Sequence, residues 1–533
     1  MPIHSPTIIT NQQAHERILS GFNSLAALLA VTLGPGHGLV LSQRGKADFE
    51  LLSDAGTIAR RFLELPDRAA NTGAMLLRNL VWHMNTTVGD GCATAAILAQ
   101  AMLAAAAPAV AAGAQVRDLT EGMQQAVDCA IDALQVMARP VRDDADLLRV
   151  AMTVTADSSL STVLAEIYGR LGADAAIAIE EYLASYTERE YLPGGVWQGR
   201  LAAWGLATTA DQRLAECHNG IVVLYEGVVE QLDQVLPLLE LVTEQKKPLV
   251  LIANRIAGSA LQTMVLNQQR GIMPVVAVEL RSFGPENSLD FADLAALTGA
   301  HLLTEAAGHA LSGIACAEFG HTPYVRVSNQ TLVIAGVGET AQLTQQLAGL
   351  RAQLEATTTL EAAAPLRQRI GRLVGKCAVL KVGANTESER QLRRRQAERA
   401  ILSMNAVLRH GLLPGGGIAY LASMPTVQDL ELDGDYAAGQ AAVLEALAAP
   451  FYQLLTNAGE PEPTVRLLEV LSQDNIVGYD VIRGTAITDW QEATLDSVFV
   501  LIEALRAACS CVRMALTTDV IVLKQRPELS MHP

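Results

Sequence analysis

The sequence predicts a multidomain α+β protein in which an α/β segment is inserted between two mostly helical arms. The chain has 533 residues, which is too many for one hydrophobic core. Residues 12–138 carry apolar side chains three and four positions apart, as do the residues from 385 to about 517. Between these arms lie short apolar runs that are rich in β-branched residues and separated by helical stretches, a pattern typical of parallel βαβ units.

The individual elements follow from these patterns. In the first arm, ILSGFNSLAALLAVTL is predicted to be a helix that stops at Gly34-Pro35, and a long amphipathic helix is closed by Pro140. Residues 340–373 are predicted to be helical, and CAVLKVGA (377–384) precedes the second arm. The predicted strands are GIVVLYE (220–226), PLVLIA (248–253), MPVVAVEL (273–280) and AHLLTE (300–305).

Composition excludes several classes of protein. A net charge of −17 argues against a general nucleic-acid binder, whose affinity depends on neutralising phosphates. The seven cysteines are scattered and form no CxxC pair, which indicates reduced thiols rather than disulfides or a zinc site. No secretory signal and no uninterrupted apolar run of about 18 residues is visible, so we expect a cytoplasmic protein without a membrane span.

Two glycine-rich loops are candidate anion sites. TLGPG (32–36) and GDGCAT (89–94) would let backbone N–H groups approach a phosphate, and the second opens a helix whose N-terminus favours negative charge. Asp90 is placed to hold a magnesium ion. Local pattern alone favours an ordinary Asp-Gly turn that caps a helix. LLPGGGIAY (412–420) could pack on a nucleotide or could simply let two helices approach each other.

Two further patterns have competing interpretations. The arginine-rich run ERQLRRRQAERAI (389–401) could bind phosphate, but Glu389 and Arg393 are four apart, which favours a solvated helix face. Two predicted helices have a broader apolar surface than a helix that covers one face of a sheet needs. They are EQLDQVLPLLELV and SALQTMVLNQQRG. In the first, one predicted stripe is formed by Leu232, Val235, Leu236, Leu239 and Val242, and Leu238 and Leu241 lie off it. Pattern alone favours extra core over an exposed apolar groove. The sequence contains no HExxH motif and no nucleophile–histidine constellation.

The order of these segments resembles the group I chaperonins, the GroEL-type 60-kDa family, over essentially the full length. The segments that carry the resemblance are TLGPG, SDAG (53–56), GDG (89–91), LPLLELV, NQQRGIMPVVAVE, GVGE (336–339), KVGANTE (381–387), LLPGGG, GYD (478–480) and TTDVIV (517–522). The resemblance implies a GroEL-like fold with a helical equatorial domain (1–138 and 410–533), a small intermediate domain (139–193 and 379–409) and an inserted α/β apical domain (194–378).

The resemblance also implies an activity and partners. Homo-oligomeric rings, heptameric and single or double, would enclose non-native or unassembled protein, under a GroES-type co-chaperonin lid. ATP with Mg²⁺, and K⁺ as a further candidate ion, would drive the cycle in the bacterial cytoplasm. No nucleic acid or membrane partner is implied.

Site residues are carried over by position. Asp90 would be the magnesium ligand and Asp54 a carboxylate near the γ-phosphate. The residues that would lie at the nucleotide are Thr32, Leu33, Gly34, Pro35, Asp90, Gly91, Cys92, Ala93, Thr94, Gly416, Asp480 and Asp496. The residues that would contact clients are Trp204, Leu236, Leu239, Leu261, Val265, Leu266 and Asn267.

Departures from the family pattern concern hydrolysis. Cys92 and Ala93 stand where the family has threonines, and Ser53 stands where it has lysine. The family's catalytic aspartate, which positions the attacking water, falls on Arg399, and a guanidinium cannot act as a general base. Glu398 is about 100° away around a helix.

These losses predict a chaperone that binds ATP, hydrolyses it weakly or not at all, and serves few clients. The alternatives are a fully ATP-hydrolysing general foldase and a nucleotide-independent scaffold. The apical segment GGVWQGRLAAWG (194–205) is also altered, with Arg200, Ala203 and Gly205 replacing tyrosine, proline and phenylalanine.

Overall fold

The computed structural model describes residues 7–34, 38–43, 49–62, 64–173, 175–182, 184–192, 194–208, 214–338, 340–357, 360–473 and 475–523. The chain divides into two compact units. The first, called the helical unit, comprises residues 1–169 and 395–533, and the second, called the sheet unit, comprises residues 170–394.

Helices dominate the described chain. In order they are α1 (Gln12–Ala30), α2 (Ala55–Arg61), α3 (Arg68–His83), α4 (Cys92–Ala111), α5 (Val116–Met137), α6 (Asp144–Thr155), α7 (Ser158–Leu171), α8 (Leu232–Gln245), α9 (Gly258–Gln269), α10 (Pro285–Thr298), α11 (Ala341–Ala356), α12 (Leu360–Val374), α13 (Glu387–His410), α14 (Ile418–Gln428), α15 (Gly434–Asn457), α16 (Pro463–Leu471) and α17 (Val498–Leu516).

The strands are shorter. In order they are β1 (Thr7–Thr10), β2 (Val40–Gln43), β3 (Phe49–Leu52), β4 (Ala176–Tyr182), β5 (Glu188–Leu192), β6 (Gly195–Leu201), β7 (Ala215–Val229), β8 (Leu249–Ile256), β9 (Val275–Leu280), β10 (Leu302–Thr304), β11 (Gly320–Val327), β12 (Thr331–Ile334), β13 (Cys377–Gly383), β14 (Leu412–Pro414), β15 (Gly478–Asp480), β16 (Thr485–Ile487), β17 (Leu495–Ser497) and β18 (Val520–Leu523).

The core of the helical unit is built around α4, which packs against α1, α15 and α17. In the same unit, glycine residues allow α1 and α3 to approach each other closely. A Cβ atom on Gly21 of α1 would collide with the carbonyl of Ala70 in α3, and one on Gly73 of α3 would collide with the carbonyl of Ile18. The predicted all-helical character of residues 12–138 is therefore confirmed, except for the hairpin of β2 and β3 that interrupts it.

One helix among the described residues, α4, is long and apolar enough to cross a membrane by length and composition, with a mean hydropathy of 1.7. From the sequence we expected no such helix. Its apolar surface lies in the core formed with α1, α15 and α17, where Leu98 and Met102 have no exposed area. Because α4 packs against several helices, a wide arc of its surface is apolar, and 44% of its most apolar stretch is buried.

The main sheet of the sheet unit has the strand order β10-β7-β11-β12-β6-β9-β8, and β7 also pairs with β8, which closes the circuit. The four predicted strands are confirmed as β7, β8, β9 and β10, and they are mutually parallel where they pair. The expectation of simple parallel units is corrected, because β11, β12 and β6 join the sheet antiparallel. Polar residues alternate along β11, so no continuous apolar run marks it.

Helices α11 and α12 together cover the predicted helical stretch 340–373. A smaller sheet in the same unit has the order β4-β13-β5. The boundaries between the two compact units fall inside the segments assigned to an intermediate domain, so α6 and α7 belong mostly with the helical unit and β4, β5 and β13 with the sheet unit. The division into three domains stays a prediction.

Arg200 on β6 pairs with Glu279 on β9, with 2.8 Å between Nε and Oε2. The side chain of Glu279 is 9% exposed, and its other carboxylate oxygen accepts from the backbone N–H of Ile256 at 3.0 Å. The arginine that replaces the family tyrosine thus neutralises a buried carboxylate between neighbouring strands.

Candidate functional site

The GDG loop has a backbone that only glycine adopts readily. Helix α3 continues into a π-helical turn, Met84–Val88, that ends at Gly89 with φ +80°, and Gly91 has φ +75°. A Cβ atom on Gly89 would lie 2.5 Å from Cδ1 of Leu402, and one on Gly91 would lie 2.8 Å from Cγ1 of Val500. Both glycines are therefore required by backbone conformation and by close packing.

Helix α4 begins directly after this loop without a side-chain cap. Its N-cap residue is Gly91, which has no side chain to cap the first turn. The GDG segment is an Asp-Gly turn at the helix start, in which the Asp90 carboxyl accepts a hydrogen bond from the Gly91 N–H, but Asp90 is not itself the N-cap. The N–H groups of Cys92, Ala93 and Thr94 form the positive end of a long helix, which suits an anion such as phosphate.

Asp54 stands at the N-cap of α2, where its Oδ2 accepts hydrogen bonds from the backbone N–H of Thr57 at 2.9 Å and from the Thr57 hydroxyl at 2.6 Å. Its Oδ1 accepts from Nη1 of Arg399 at 3.0 Å. The two side chains are 17% and 24% exposed, respectively. The catalytic candidates Asp54 and Arg399 thus form a largely buried ion pair.

Asp90 and Asp496 belong to the same electrostatic group. Burial raises the pKa of the Asp90 carboxyl, the Arg399 cation and the Gly91 N–H oppose this rise, and Asp54 adds to it. Burial, and then the charge of Asp90, raise the pKa of Asp496 to about 7, whereas a hydrogen bond from the Gly416 N–H lowers it. The fold therefore brings together positions 54, 90, 399 and 496, which are far apart in the sequence.

The positions after the GDG loop lack hydroxyl groups. Cys92 is 6% exposed, packs in the main helical core, and has its Sγ 3.7 Å from the carbonyl oxygen of Val81. Burial and the neighbouring carboxylates raise the pKa of this thiol above its usual range, so it stays protonated. Ala93 and Thr94 are half-buried in the first turn of α4. Only the backbone at positions 92 and 93 can therefore contact a phosphate.

A second part of the candidate site is apolar. Gly34 has φ +99° and Gly416 has φ +65°, and Cβ atoms built on them would lie 2.9 Å and 3.7 Å from the two methyl groups of Leu454. The cluster around Leu454, which Leu33 joins at its edge, is formed by Ile418, Leu421, Phe451, Leu454, Leu455 and Val470. The TLGPG and LLPGGG loops therefore meet across Leu454.

Two other predicted residues, Thr32 and Asp480, adjoin this cluster along the chain. Thr32 is buried, and its hydroxyl donates to the Leu29 carbonyl at 2.7 Å. Asp480 accepts from the backbone N–H groups of Ile482 and Arg483 at 3.0 and 3.1 Å, so it shapes the turn between β15 and β16. Pro35 lies outside the described residues.

Two residues that contact the candidate site, Asn457 and Leu402, were not predicted from the sequence. Asn457 Nδ2 donates to the carbonyls of Ala30 and Leu33 at 2.7 and 2.8 Å and so fixes the end of α1 at the TLGPG loop. Leu402 of α13 packs on Gly89. No local pattern marks either residue, because each acts on a segment distant in the sequence.

The arginine-rich run is only partly the solvated face that its pattern favours. The pair expected four residues apart is present, with 3.3 Å between Arg393 and Glu389, and Arg395 is exposed. Arg399 departs from that interpretation, because it is turned inward to Asp54. Glu398 is exposed.

The residues at this site fit a magnesium nucleotide. The glycine cradle and the uncapped start of α4 suit phosphate oxygens, and Asp90 offers the hard carboxylate oxygen that Mg²⁺ prefers. Within the described ranges, no group of three His, Cys, Asp or Glu side chains could hold an ion without other ligands. A magnesium ion held by Asp90 would therefore take phosphate oxygens and water as its remaining ligands.

The predicted client-binding residues lie on α8, α9 and the turn at Trp204. Leu236, Leu266 and Trp204 are 44%, 48% and 48% exposed, and Leu261, Val265 and Asn267 are half-buried. Leu239 is only 5% exposed and belongs to the core beneath this surface. The predicted stripe on α8 is corrected, because Leu238 is buried whereas Leu236 is exposed. The helix is therefore turned about its axis relative to the predicted orientation.

Comparisons with known proteins agree with this architecture. The family model for the TCP-1/cpn60 chaperonin family matches residues 25–189 and 224–526. The crystal structure of the chaperonin gp146 from the bacteriophage EL 2 (Pseudomonas aeruginosa), in the presence of ATP-BeFx, is similar with a TM-score of 0.70 and 18% sequence identity, covering 97% of this chain and 99% of that one. The fold class is thus the GroEL-like one that the sequence predicts. The match to the family model spans most of the chain, which therefore belongs to the TCP-1/cpn60 chaperonin family.

Proposed function

We propose that this chaperonin binds ATP with Mg²⁺, hydrolyses it weakly or not at all, and holds non-native or unassembled protein in a homo-oligomeric ring. The observation that carries this proposal is the 3.0 Å ion pair between Arg399 and Asp54. The resemblance implies a carboxylate at both of these positions, 54 and 399, near the γ-phosphate. Here the second position carries a guanidinium that pairs with the first.

Each residue at the site has a role that follows from its chemistry. The N–H groups at the start of α4 would bind phosphate oxygens, and Asp90 would hold Mg²⁺, which supplies charge neutralisation to the phosphates. The apolar cluster around Leu454 offers the nucleotide an apolar surface, and Asp480 and Asp496 are its nearby polar groups. Arg399 is positively charged and can pair with the γ-phosphate, which favours retention of ATP.

Hydrolysis needs a base that can orient and deprotonate water. Arg399 cannot take a proton at physiological pH. Asp54 already accepts three hydrogen bonds, two from Thr57 and one from Arg399, so its lone pairs are largely committed. Glu398 is exposed and does not replace either residue. These facts support slow or absent turnover.

Client binding is proposed for the exposed apolar side chains of α8, α9 and the Trp204 turn, which form a patch rich in leucine. Such patches mark protein-binding sites. A ring of seven subunits, single or double, a GroES-type lid, K⁺ binding and a location in the bacterial cytoplasm are further proposals that rest on family membership.

Calorimetric titration of ATP in the presence of Mg²⁺, combined with steady-state phosphate release, tests the proposal. We expect ATP binding that is lost in the Asp90→Ala variant, and phosphate release no faster than in that variant. Rapid turnover abolished by Asp90→Ala would instead establish a hydrolysing foldase. Absence of ATP binding would establish a nucleotide-independent scaffold. Electron-microscopic images of the same preparation would show whether rings form and with how many subunits.

A further inference from the structure

The C-terminal part of α13, residues 395–410, is attached to the candidate nucleotide site at two points. The first is the ion pair of Arg399 with Asp54, and the second is the packing of Leu402 on Gly89 of the GDG loop. Because Arg399 and Leu402 are three residues apart, they lie on the same face of the helix. This face therefore bridges α2 and the loop that precedes α4.

The same part of α13 is also attached by hydrogen bonds to other helices. Nε2 of Gln396 donates to the carbonyl of Thr155 at 2.9 Å, and the hydroxyl of Tyr168 donates to the carbonyl of Ile401 at 3.1 Å. These bonds join α13 to α6 and α7. Arg399 thus supplies a charged attachment between this face of α13 and the N-terminus of α2.

Charge explains why the identity of residue 399 matters. The charge of Asp90 interacts with that of Asp54 and with that of Asp496, and Arg399 is the cation that opposes the rise in the Asp90 pKa. A carboxylate at position 399 would meet Asp54 and Asp90 directly, and like charges at such separations repel each other. It could approach them only when a cation lies between. A guanidinium at the same position is attracted without any added ion.

We propose that the Arg399–Asp54 ion pair is a nucleotide-independent latch that keeps residues 395–410 of α13 on the GDG loop. The latch rests on the proposed function only in that the loop is taken to be the nucleotide site. The contact of α13 with the GDG loop would then form without bound nucleotide, because both members of the ion pair belong to the protein. ATP entering the site would then compete with Asp54 for Arg399.

Hydrogen–deuterium exchange of the full-length, nucleotide-free protein tests the latch. The informative peptides cover residues 84–94 and 396–410. We expect strong protection in the wild type, and exchange at least about tenfold faster in Arg399→Asp, because breaking a largely buried pair exposes a charge without its partner. Asp54→Asn should accelerate the same peptides while keeping the cap of α2, since asparagine is also a good N-cap.

Arg395→Ala is the matched control, because it removes the same charge from an exposed position one turn earlier on α13. It should leave both peptides unchanged. Peptides from α5 and α15, which pack together in the same unit as Arg399, report whether Arg399→Asp still folds, and the milder Arg399→Gln variant provides the same comparison if it does not. Equal exchange in wild type and in Arg399→Gln, or equal acceleration by Arg395→Ala, would overturn the latch.

A second arm uses ATP with Mg²⁺. Added nucleotide should restore protection to the Arg399→Asp peptides, because a bound cation can then bridge the carboxylates, while wild-type protection stays almost constant. Wild-type peptides that become protected only after ATP is added would overturn the latch. Failure of the wild type to bind ATP in the calorimeter would refute the proposed function, whereas the nucleotide-free exchange would still decide the latch.

Discussion

Asp496 accepts a hydrogen bond from the Gly416 N–H, and its pKa is raised to about 7 by burial and by the charge of Asp90. A carboxyl of this kind binds a proton more tightly in the folded chain than in the unfolded chain. Between the ordinary value of 3.8 and about 7, the folded state therefore holds the extra proton, and stability falls as pH rises through this window. Above pH 7, the folded protein carries the full penalty of an unfavourable buried charge.

We therefore expect Asp496→Asn to stabilise the nucleotide-free protein at pH 8 and to have little effect at pH 4. The asparagine carbonyl can still accept from Gly416. Because the side chain is half-buried, the gain should be modest, about 1–2 kcal/mol. Apparent unfolding midpoints of wild type and variant at both pH values measure it. A gain that is equal at the two pH values would contradict this assignment.

Arg399→Asp should raise steady-state phosphate release if a missing carboxylate is the main defect of the site. An increase of about tenfold or more is expected, because a positioned general base typically contributes 10²–10⁴-fold to rate. The double variant Arg399→Asp with Asp90→Ala should show no such increase, since the proposed magnesium ligand is gone. Arg399→Asp without any gain would mean that the losses at Ser53, Cys92 and Ala93 dominate.

Gly89→Ala should disturb the phosphate loop. It forces a side chain into the left-handed region and against Leu402, at an expected cost of about 1–3 kcal/mol and with a large loss of ATP affinity. Gly113→Ala is the control, because Gly113 also has a positive φ of +98° but has open space around it. Thermal unfolding and ATP calorimetry of both variants measure the difference. Adding Leu402→Ala to Gly89→Ala should recover part of it.

Serine substitutions at Leu236 and Leu266 should weaken client binding without lowering stability, because both side chains are exposed. Suppression of the aggregation of reduced insulin, followed by light scattering, measures client binding. Leu239→Ala should behave differently, with a loss of about 2–4 kcal/mol in stability, because Leu239 is in the core. Full suppression of aggregation by the doubly serine-substituted protein would exclude this surface as the binding site.

Arg200→Ala should destabilise the sheet unit by about 1–3 kcal/mol, because it leaves Glu279 buried with one backbone hydrogen bond. The double variant Arg200→Ala with Glu279→Gln should recover much of the loss, since no unpaired charge remains. Chemical unfolding followed by the fluorescence of Trp197, which lies in the same unit, reports the change. An unaltered midpoint in Arg200→Ala would show that the pair contributes little.

The amino-acid pattern was sufficient for the helices and for the parallel strands β7 to β10, because their apolar residues recur at the helical or strand period. It was not sufficient for β6 and β11, along which polar residues alternate, or for β12, which has only four residues. The positions of the glycine loops could be predicted by resemblance. The Arg399–Asp54 pair could not, because it joins residues 345 positions apart. The same arginine viewed within its local run only indicates a solvated helix face.

The antiparallel pairing of Thr7–Thr10 with Val520–Leu523 has a consequence for synthesis on the ribosome. Strand β1 is made before its partner, which emerges about 510 residues later, on the order of a minute at roughly 5–20 residues per second. The apolar helix α4 must likewise wait for α15 and α17. The sheet unit is one continuous segment and can fold earlier. During its own production, this chaperonin therefore exposes the kind of apolar surface that chaperones protect.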